Sequence, residues 1–325
     1  MSTTLPSLSE LEAAADLIHE VMAPTPQYEW PLLSARAGAT VWVKHENHAP
    51  TGAFKVRGGL VYLDRLRRMQ PEIAGIVTAT RGNHGQSVGL AARRHNLGVV
   101  VVVPHGNSVE KNAAMRALGV ELIERGHDFQ AAVEAADAIA LERGWHRLPS
   151  FHPDLVCGVG TYALELFRAV PDLDTVYVPI GQGSGICGTI AARDALQRRT
   201  QVVGVVSANA PAYARSLAAG RPVSHDVSTR VADGMACRTP VPEALELIAR
   251  GAERVVEVSD DQIEAAMRVI FSDTHNVAEG AGAAAVAALL EERDAMRGRR
   301  VAVILSGGNV DREMFARILA TKDRE

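Results

Sequence analysis

The chain has 325 residues, of which 47% are hydrophobic and 22% are charged, and its formal net charge is −4 at pH 7. This length allows one large domain or two lobes. The acidic balance excludes the basic field on which nucleic-acid and anionic-membrane binding depend, and the longest apolar run, residues 97–104, is far too short to span a bilayer.

The N-terminal segment carries a capping box, in which Ser7 and Glu10 open a helix with apolar residues on one face. It lacks the cationic start and apolar core of a signal peptide.

Three widely spaced cysteines, with no metal-type pairing, favour reduced thiols in a cytoplasmic protein; they are Cys157, Cys187 and Cys237. We therefore expect neither secretion nor a membrane span.

Further along the chain, short β-branched runs alternate with amphipathic segments. We predict strands at 41–44, 75–79, 98–103, 121–124, 175–179, 202–206, 255–258 and 301–305. Helices are predicted at 87–95, 110–117, 129–143, 189–198, 260–272 and 281–293. Continuous apolar strands separated by helices are typical of parallel sheets covered on both faces, so the fold class is α/β.

The stretch TGAFKVRGG, residues 51–59, places Lys55 between Phe54 and a run of small residues. A lysine on a solvated helix face needs no such neighbours, whereas a lysine beside a bulky planar ligand does. A second stretch, RGNHGQS at residues 81–87, lies between a predicted strand and a predicted helix. The glycines of this second stretch let backbone amides approach a ligand, and Asn83 supplies a hydrogen-bonding side chain. The alternative interpretation of the stretch is a plain strand-to-helix turn.

A third stretch, GQGSGICG at residues 181–188, directly follows a strand and precedes a helix. Exposed amides and the helix dipole make it a candidate phosphate-binding loop, formed by Gly181, Gln182, Gly183, Ser184 and Gly185. It also matches the dinucleotide fingerprint G-x-G-x-x-G, which requires an acidic residue at the end of the next strand. That strand ends in Ser207, so one phosphate is favoured over a dinucleotide.

The stretch LSGGNVD, residues 305–311, follows the last predicted strand. It places Ser306 at the carboxyl end of a buried strand, where ligands of open α/β sheets bind. A simple strand-ending turn is the alternative interpretation.

Together these stretches resemble the fold-type-II pyridoxal-phosphate enzymes, in the branch of threonine and serine dehydratases and serine racemase. The matching stretches run in the family's order over almost the whole chain: KHENHAPTGAFKVRGG, RGNHGQS, PHGNSVEKNAAMRALG, VADGMACR, EGAGA and LSGGNVD. The resemblance implies two parallel-sheet α/β domains, similar to the β subunit of tryptophan synthase, with the cofactor at their junction. It implies a large domain of residues 1–49 and 148–325, a small mobile domain of residues 50–147, and a homodimer.

The resemblance also implies roles for single residues. Lys55 matches the lysine that forms a Schiff base with pyridoxal 5′-phosphate, and Phe54 matches the aromatic residue that packs against its ring. Asn83 is expected to bond the ring hydroxyl, and Ser306 to face the pyridine nitrogen. The loop at residues 181–185 is expected to hold the phosphate. The expected substrate-binding residues are Thr80, Arg81, Gly82 and His84.

The chemistry implied is that of a dehydratase, or ammonia-lyase, which converts a β-hydroxy-α-amino acid of the threonine, serine or phenylserine type into a 2-oxo acid and ammonia. Lys55, displaced by the substrate amine, would remove the Cα proton, and the cofactor would delocalise the resulting charge. A serine at the pyridine nitrogen favours expulsion of a β-leaving group over transamination.

Arg81 departs from the family pattern, which has Ser-Ser before Gly-Asn-His where this chain has Thr80-Arg81. The second serine is the racemase's acid/base, and arginine cannot replace it because it stays protonated at physiological pH. Arg81 is expected to bind a carboxylate, to lie against an aromatic β-substituent, or to point to solvent. In these departures the chain resembles the phenylserine dehydratase and ectoine-utilisation dehydratase branches.

Other readings stay open at the level of sequence. An amino-acid racemase and a β-replacement enzyme share the fold, although GNHGQS argues against the second, and a non-catalytic pyridoxal-phosphate-binding protein is a third alternative. A nicotinamide oxidoreductase is disfavoured, because this chain lacks the carboxylate that would bind the ribose hydroxyls of its cofactor. No metal is expected, because Ser207 and Tyr213 occupy the place where relatives carry the acidic ligands that hard cations prefer. No regulatory domain is expected after Asp311.

Overall fold

The computed structural model describes residues 4–321. Its strands are β1 (Gln27–Glu29), β2 (Thr40–His45), β3 (Gly75–Ala79), β4 (Gly98–Val103), β5 (Glu121–Glu124), β6 (His146–Arg147), β7 (Thr175–Pro179), β8 (Gln201–Ser207), β9 (Arg254–Val258) and β10 (Arg300–Leu305). They form a six-stranded sheet of order β1-β2-β10-β7-β8-β9 and a four-stranded sheet of order β5-β4-β3-β6. Every pairing is parallel except that of β1 with β2.

Helices connect and cover the strands. They are α1 (Leu8–His19), α2 (Pro31–Ala37), α3 (Lys55–Met69), α4 (Asn83–Arg94), α5 (Val109–Ala117), α6 (Phe129–Arg143), α7 (Pro153–Ala169), α8 (Ser184–Ala195), α9 (Ala212–Ala219), α10 (Pro242–Gly251), α11 (Asp260–Thr274), α12 (Gly280–Glu291), α13 (Arg293–Met296) and α14 (Arg312–Ala320). Two 3₁₀ turns occupy Glu46–His48 and Asp233–Met235. Within residues 4–321, no helix is long and apolar enough to cross a membrane.

The eight predicted strands are all present, with ends that shift by at most one residue. β3 and β7 are buried along their full length, as expected of parallel strands covered on both faces. The capping box of Ser7 and Glu10 is formed at the start of α1. All three cysteines are buried and free.

Two predicted helix starts are wrong. α4 begins at Asn83 rather than residue 87, and α8 begins at Ser184 rather than residue 189. Glycine is a poor helix former, so both glycine-rich starts were interpreted as loop. Close packing outweighs the low helix propensity of glycine here, because glycines have no side chain and so let neighbouring helices approach closely. A Cβ on Gly188 of α8 would lie 2.7 Å from the amide nitrogen of Gly160 in α7.

The same close approach positions the start of α3. A Cβ on Gly158 of α7 would lie 2.4 Å from the carbonyl oxygen of Arg57. α7 therefore packs against α3 through Gly158 and against α8 through Gly160. This double contact fixes the first turns of α3 and α8 relative to each other, and those turns begin with Lys55 and Ser184.

Candidate active site

One cavity brings together residues from both sheets. It lies at the carboxyl ends of β3, β7 and β10 and at the starts of α3, α4 and α8, and it measures about 870 Å³ with its open mouth included. Its lining contains every site residue that the sequence predicted: Phe54, Lys55, Thr80, Arg81, Gly82, Asn83, His84, Gly181, Gln182, Gly183, Ser184, Gly185 and Ser306. Ligand sites of open α/β sheets form at this edge.

Lys55 is the first residue of α3, and its Nζ donates a hydrogen bond to Oγ of Ser184 over 3.2 Å. The same Nζ lies 4.9 Å from the centre of the Phe54 ring. Burial lowers the pKa of Lys55 to about 8, against the opposing effect of Glu279. A substantial fraction of this amine is therefore neutral near physiological pH, as a nucleophile or base requires.

The other lysines that the structure describes are held differently. Nζ of Lys44 lies 2.6 Å from the Glu165 carboxylate, and Nζ of Lys111 lies 2.8 Å from that of Asp233 and 2.9 Å from that of Glu279. Within residues 4–321, Lys55 has no carboxylate within ion-pairing distance. Among these lysines it is the one whose amine is open to form a new bond.

The loop before α8 is shaped for an anion. A Cβ on Gly181 would lie 2.3 Å from the Gly234 carbonyl oxygen, and Gly183 has a φ of +98°, so both positions require glycine. The first main-chain hydrogen bond of α8 runs from Cys187 to Gly183 over 3.0 Å. The amides that precede Cys187 in this turn are not used within the helix and can donate to phosphate oxygens.

Tyr213 braces this loop from behind. Its buried hydroxyl donates to the carbonyl oxygen of Gln182 over 3.0 Å and accepts from the amide of Val241 over 3.2 Å. Gln182 is thus held through its main chain. Among the described residues, no group of three or more histidine, cysteine or acidic side chains is placed to hold a metal ion.

The start of α4 forms the opposite wall of the cavity. The Thr80 hydroxyl accepts a hydrogen bond from the Gly82 amide over 2.9 Å, and the first main-chain bond of α4 joins Gln86 to Gly82 over 3.1 Å. The amides of the intervening turn are therefore free to bind a carboxylate. His84 is buried, and burial together with Lys55 lowers its pKa to about 3, so its ring is neutral.

Asn83 lies in the cavity wall and hydrogen-bonds two other side chains. Its Nδ2 donates to Glu279 over 2.6 Å, and its Oδ1 accepts from Asn309 over 2.9 Å. Its orientation is thus fixed by neighbours on two other elements. The ring-hydroxyl role implied by the resemblance stays a prediction.

Sequence reasoning missed a charge cluster beside Asn83, formed by the buried Lys111 and Glu279 and the partly exposed Asp233. Burial raises the pKa of Glu279, although Lys111 opposes the rise. Burial alone would lower the pKa of Lys111, but Glu279 and Asp233 outweigh it and raise that pKa. These residues lie in stretches that carried the resemblance, yet a lysine and a glutamate near helix starts look like surface residues, so periodicity offered no signal.

These groups fit pyridoxal 5′-phosphate: an amine without a carboxylate partner, a glycine cradle with unused amides, and a serine at the end of β10. A family model described as pyridoxal-phosphate dependent enzyme matches residues 18–307. The chain belongs to this family. Its fold-type-II α/β architecture and its dependence on pyridoxal phosphate, both predicted from the sequence, are thereby confirmed.

Individual relatives agree. The chain is 33% identical to the L-threonine ammonia-lyase of Thermotoga maritima over 314 residues, which cover 96% of this chain and 78% of that protein. It is 31% identical to the L-threo-3-hydroxyaspartate ammonia-lyase of a Pseudomonas species over 316 residues, 97% and 99% of the two chains. It spans 58% of the length of the biosynthetic threonine dehydratase of Haemophilus influenzae.

Among solved structures, a pyridoxal 5′-phosphate-dependent aspartate racemase superposes with a TM-score of 0.89 at 29% identity, covering 95% of this chain and 97% of the other.

Proposed function

We propose that the protein is a pyridoxal-phosphate-dependent ammonia-lyase that converts a β-hydroxy-α-amino acid into a 2-oxo acid and ammonia. The observation that carries the proposal is Lys55, a partly buried lysine with a lowered pKa and no carboxylate partner among residues 4–321, set between the glycine cradle and the start of α4. The ammonia-lyase relatives support the reaction class.

The residues divide the work as follows. The amides at the start of α4 bind the substrate α-carboxylate, and the loop at residues 181–185 anchors the cofactor phosphate. Lys55 Nζ, held toward the cavity by Ser184, accepts the Cα proton. The cofactor supplies an electron sink for the charge left at Cα.

The atoms balance without an added oxidant or reductant. The Cα–H and Cβ–O bonds break, and the β-hydroxyl leaves with a proton as water. Hydrolysis of the resulting enamine consumes one water and releases the 2-oxo acid and ammonia. Ser306, an uncharged group at the end of β10, does not hold a ring nitrogen protonated as a carboxylate would, which favours this elimination over transamination.

We also propose that residues 50–147 form the small mobile domain of a homodimer and that residues 1–49 and 148–325 form the large one. All strands of the four-stranded sheet lie between Gly75 and Arg147, and all those of the six-stranded sheet lie outside that range. The cavity takes its lining from both parts, so movement of one against the other would close it and exclude water.

The test is release of 2-oxo acid by the holoenzyme from L-serine, L-threonine, threo-phenylserine and L-threo-3-hydroxyaspartate. Lys55→Ala serves as the blank. Lysine-dependent release from at least one substrate is the expected result. Formation of the D-enantiomer without 2-oxo acid would instead identify a racemase, and cofactor binding without either product would identify a non-catalytic binding protein.

A further inference from the structure

Arg81 is a cation of the cavity lining that the mechanism above does not use. It lies between Thr80 and Gly82 at the turn before α4. Its Nε is buried and has no hydrogen-bond partner among residues 4–321. A buried guanidinium nitrogen without an acceptor loses its hydrogen bonds to water and gains none in exchange, which is unfavourable. Its presence here therefore points to an acceptor supplied by a ligand.

The carboxylates of the cavity do not neutralise Arg81. Asp233 and Glu279 both bond Lys111, at 2.8 and 2.9 Å. Glu279 also accepts from Asn83 over 2.6 Å. These acidic groups are thus engaged by other donors, and among residues 4–321 Arg81, which lines the cavity, has no carboxylate within ion-pairing distance.

The α-carboxylate of an amino acid does not need Arg81. The first turn of α4 offers amides that the helix leaves unused, together with the favourable end of its dipole. The Thr80 hydroxyl holds the Gly82 amide and so fixes this turn. A guanidinium next to a complete carboxylate site is surplus for a monocarboxylic substrate.

We infer that Arg81 is a specificity-determining residue that binds a second anionic group, carried on the β-carbon of the substrate. The substrate class is then the β-hydroxy amino dicarboxylic acids, with 3-hydroxyaspartate as the simplest member. Arginine suits this task because its planar fork bonds a carboxylate through two N–H groups. This inference rests on the proposed ammonia-lyase function and specifies its substrate.

The decisive comparison uses two substrates and two variants. L-threo-3-hydroxyaspartate and L-threonine both carry a β-hydroxyl and differ in a carboxylate against a methyl group. Arg81→Gln removes the charge from the cavity. Arg93→Gln makes the same change at an exposed arginine in the last turn of α4 and serves as the matched control. kcat and KM are measured for each holoenzyme, with threo-phenylserine as a third substrate.

For Arg81→Gln we expect kcat/KM on L-threo-3-hydroxyaspartate to fall roughly tenfold to hundredfold, mainly through KM, as expected for the loss of hydrogen bonds to a charged group. On L-threonine the change should stay below about threefold. Arg93→Gln should keep the wild-type preference for hydroxyaspartate. Arg81→Lys, which keeps the charge without the fork, should recover part of the loss.

Equal losses on both substrates would overturn the inference and assign Arg81 to the α-carboxylate or to the shape of the turn. A loss confined to threo-phenylserine would overturn it in favour of stacking on an aromatic ring. If the wild type released no 2-oxo acid from any substrate, the proposed function would fail separately. Binding of L-aspartate and L-alanine, followed by the cofactor absorbance, would then decide: an Arg81→Gln loss restricted to L-aspartate supports the inference, and equal affinities contradict it.

Discussion

The two sides of the first turn of α3 differ in how completely their buried charges are paired. Lys55 faces the cavity and bonds only the Ser184 hydroxyl among described side chains, whereas Arg57, two residues later, is enclosed by carboxylates. The pKa of Lys55 is lowered to about 8 by burial. For Arg57 burial acts in the same direction, but Glu46 and Glu165 outweigh it and raise the pKa.

The Arg57 side forms a closed network. Arg57 lies 2.8 Å from the Glu46 carboxylate and 2.7 Å from that of Glu165, and Lys44 lies 2.6 Å from Glu165. Two cations thus balance two anions, and the Thr25 and Thr161 hydroxyls complete the hydrogen bonds. Burial would raise the pKa of Glu165, but Arg57 and Lys44 lower it to about 2.

The comparison teaches that structural charges in this fold have a full set of ion-pair and hydrogen-bond partners, whereas reactive charges do not. A buried charge with every partner in place holds elements together, and here it joins β2, α3 and α7. A buried charge whose partners are missing is available to a ligand. Lys55 and Arg81 belong to the second kind.

The largest effect is expected when the closed network is broken. Arg57→Met should cost about 3–5 kcal/mol of stability, because it leaves the buried Glu46 and Glu165 carboxylates with too few cations. The measurement is the urea unfolding midpoint of the apoprotein at pH 7. Arg168→Met, in the half-exposed pair with Glu12, is the control and should cost less than ~1 kcal/mol. Similar costs for the two variants would contradict the account.

A smaller loss of stability is expected when a charge that lines the cavity is removed. Lys111→Met should cost about 2 kcal/mol at pH 7, because Glu279 can take up a proton and Asp233 is 32% exposed to water. The pKa of Glu279 is raised in the folded protein, so protonation relieves the unpaired charge as pH falls. The stability difference from wild type should therefore shrink as the pH is lowered.

Lys111→Arg, which keeps the charge, should show a much smaller difference at every pH. A deficit in Lys111→Met that did not change with pH would show that Glu279 carries no proton there. The same urea titrations, repeated across the pH range, measure both variants.

The mildest test follows the titration of Lys55. Only the neutral amine attacks a carbonyl carbon, so the rate at which apoprotein captures pyridoxal phosphate should rise with pH, with its midpoint near pH 8. An ordinary exposed lysine would have its midpoint near pH 10.4. Stopped-flow absorbance measures the rate. A midpoint near that of free lysine would show that burial does not shift the pKa of Lys55.

Much of the fold could be predicted from sequence. Every predicted strand exists, because apolar β-branched runs such as residues 98–103 carry a strong signal. β1 and β6 were missed, since three and two residues are too short for a pattern. The early starts of α4 and α8 were missed because close helix packing, invisible in a single sequence, makes glycine acceptable there.

The candidate site also has features that could be predicted from the sequence and features that could not. Its glycine-rich stretches and Lys55 stand out in the sequence because few other functions require small residues around one lysine. The network of Arg57 and the cluster of Lys111 do not, because most of their pairs join residues more than a hundred positions apart and leave no local pattern. The surplus charge of Arg81 became apparent only when the partners of its neighbours were known.

The most direct test of the central claim is to locate the lysine that holds the cofactor. The chain contains four lysines, Lys44, Lys55, Lys111 and Lys322. Borohydride reduction of the holoenzyme, followed by proteolysis and mass spectrometry, fixes the cofactor to the lysine it occupies. We predict the added mass on the Lys55 peptide alone. Label on Lys44, Lys111 or Lys322, or none on Lys55, would contradict the claim that the unpaired amine is the reactive one.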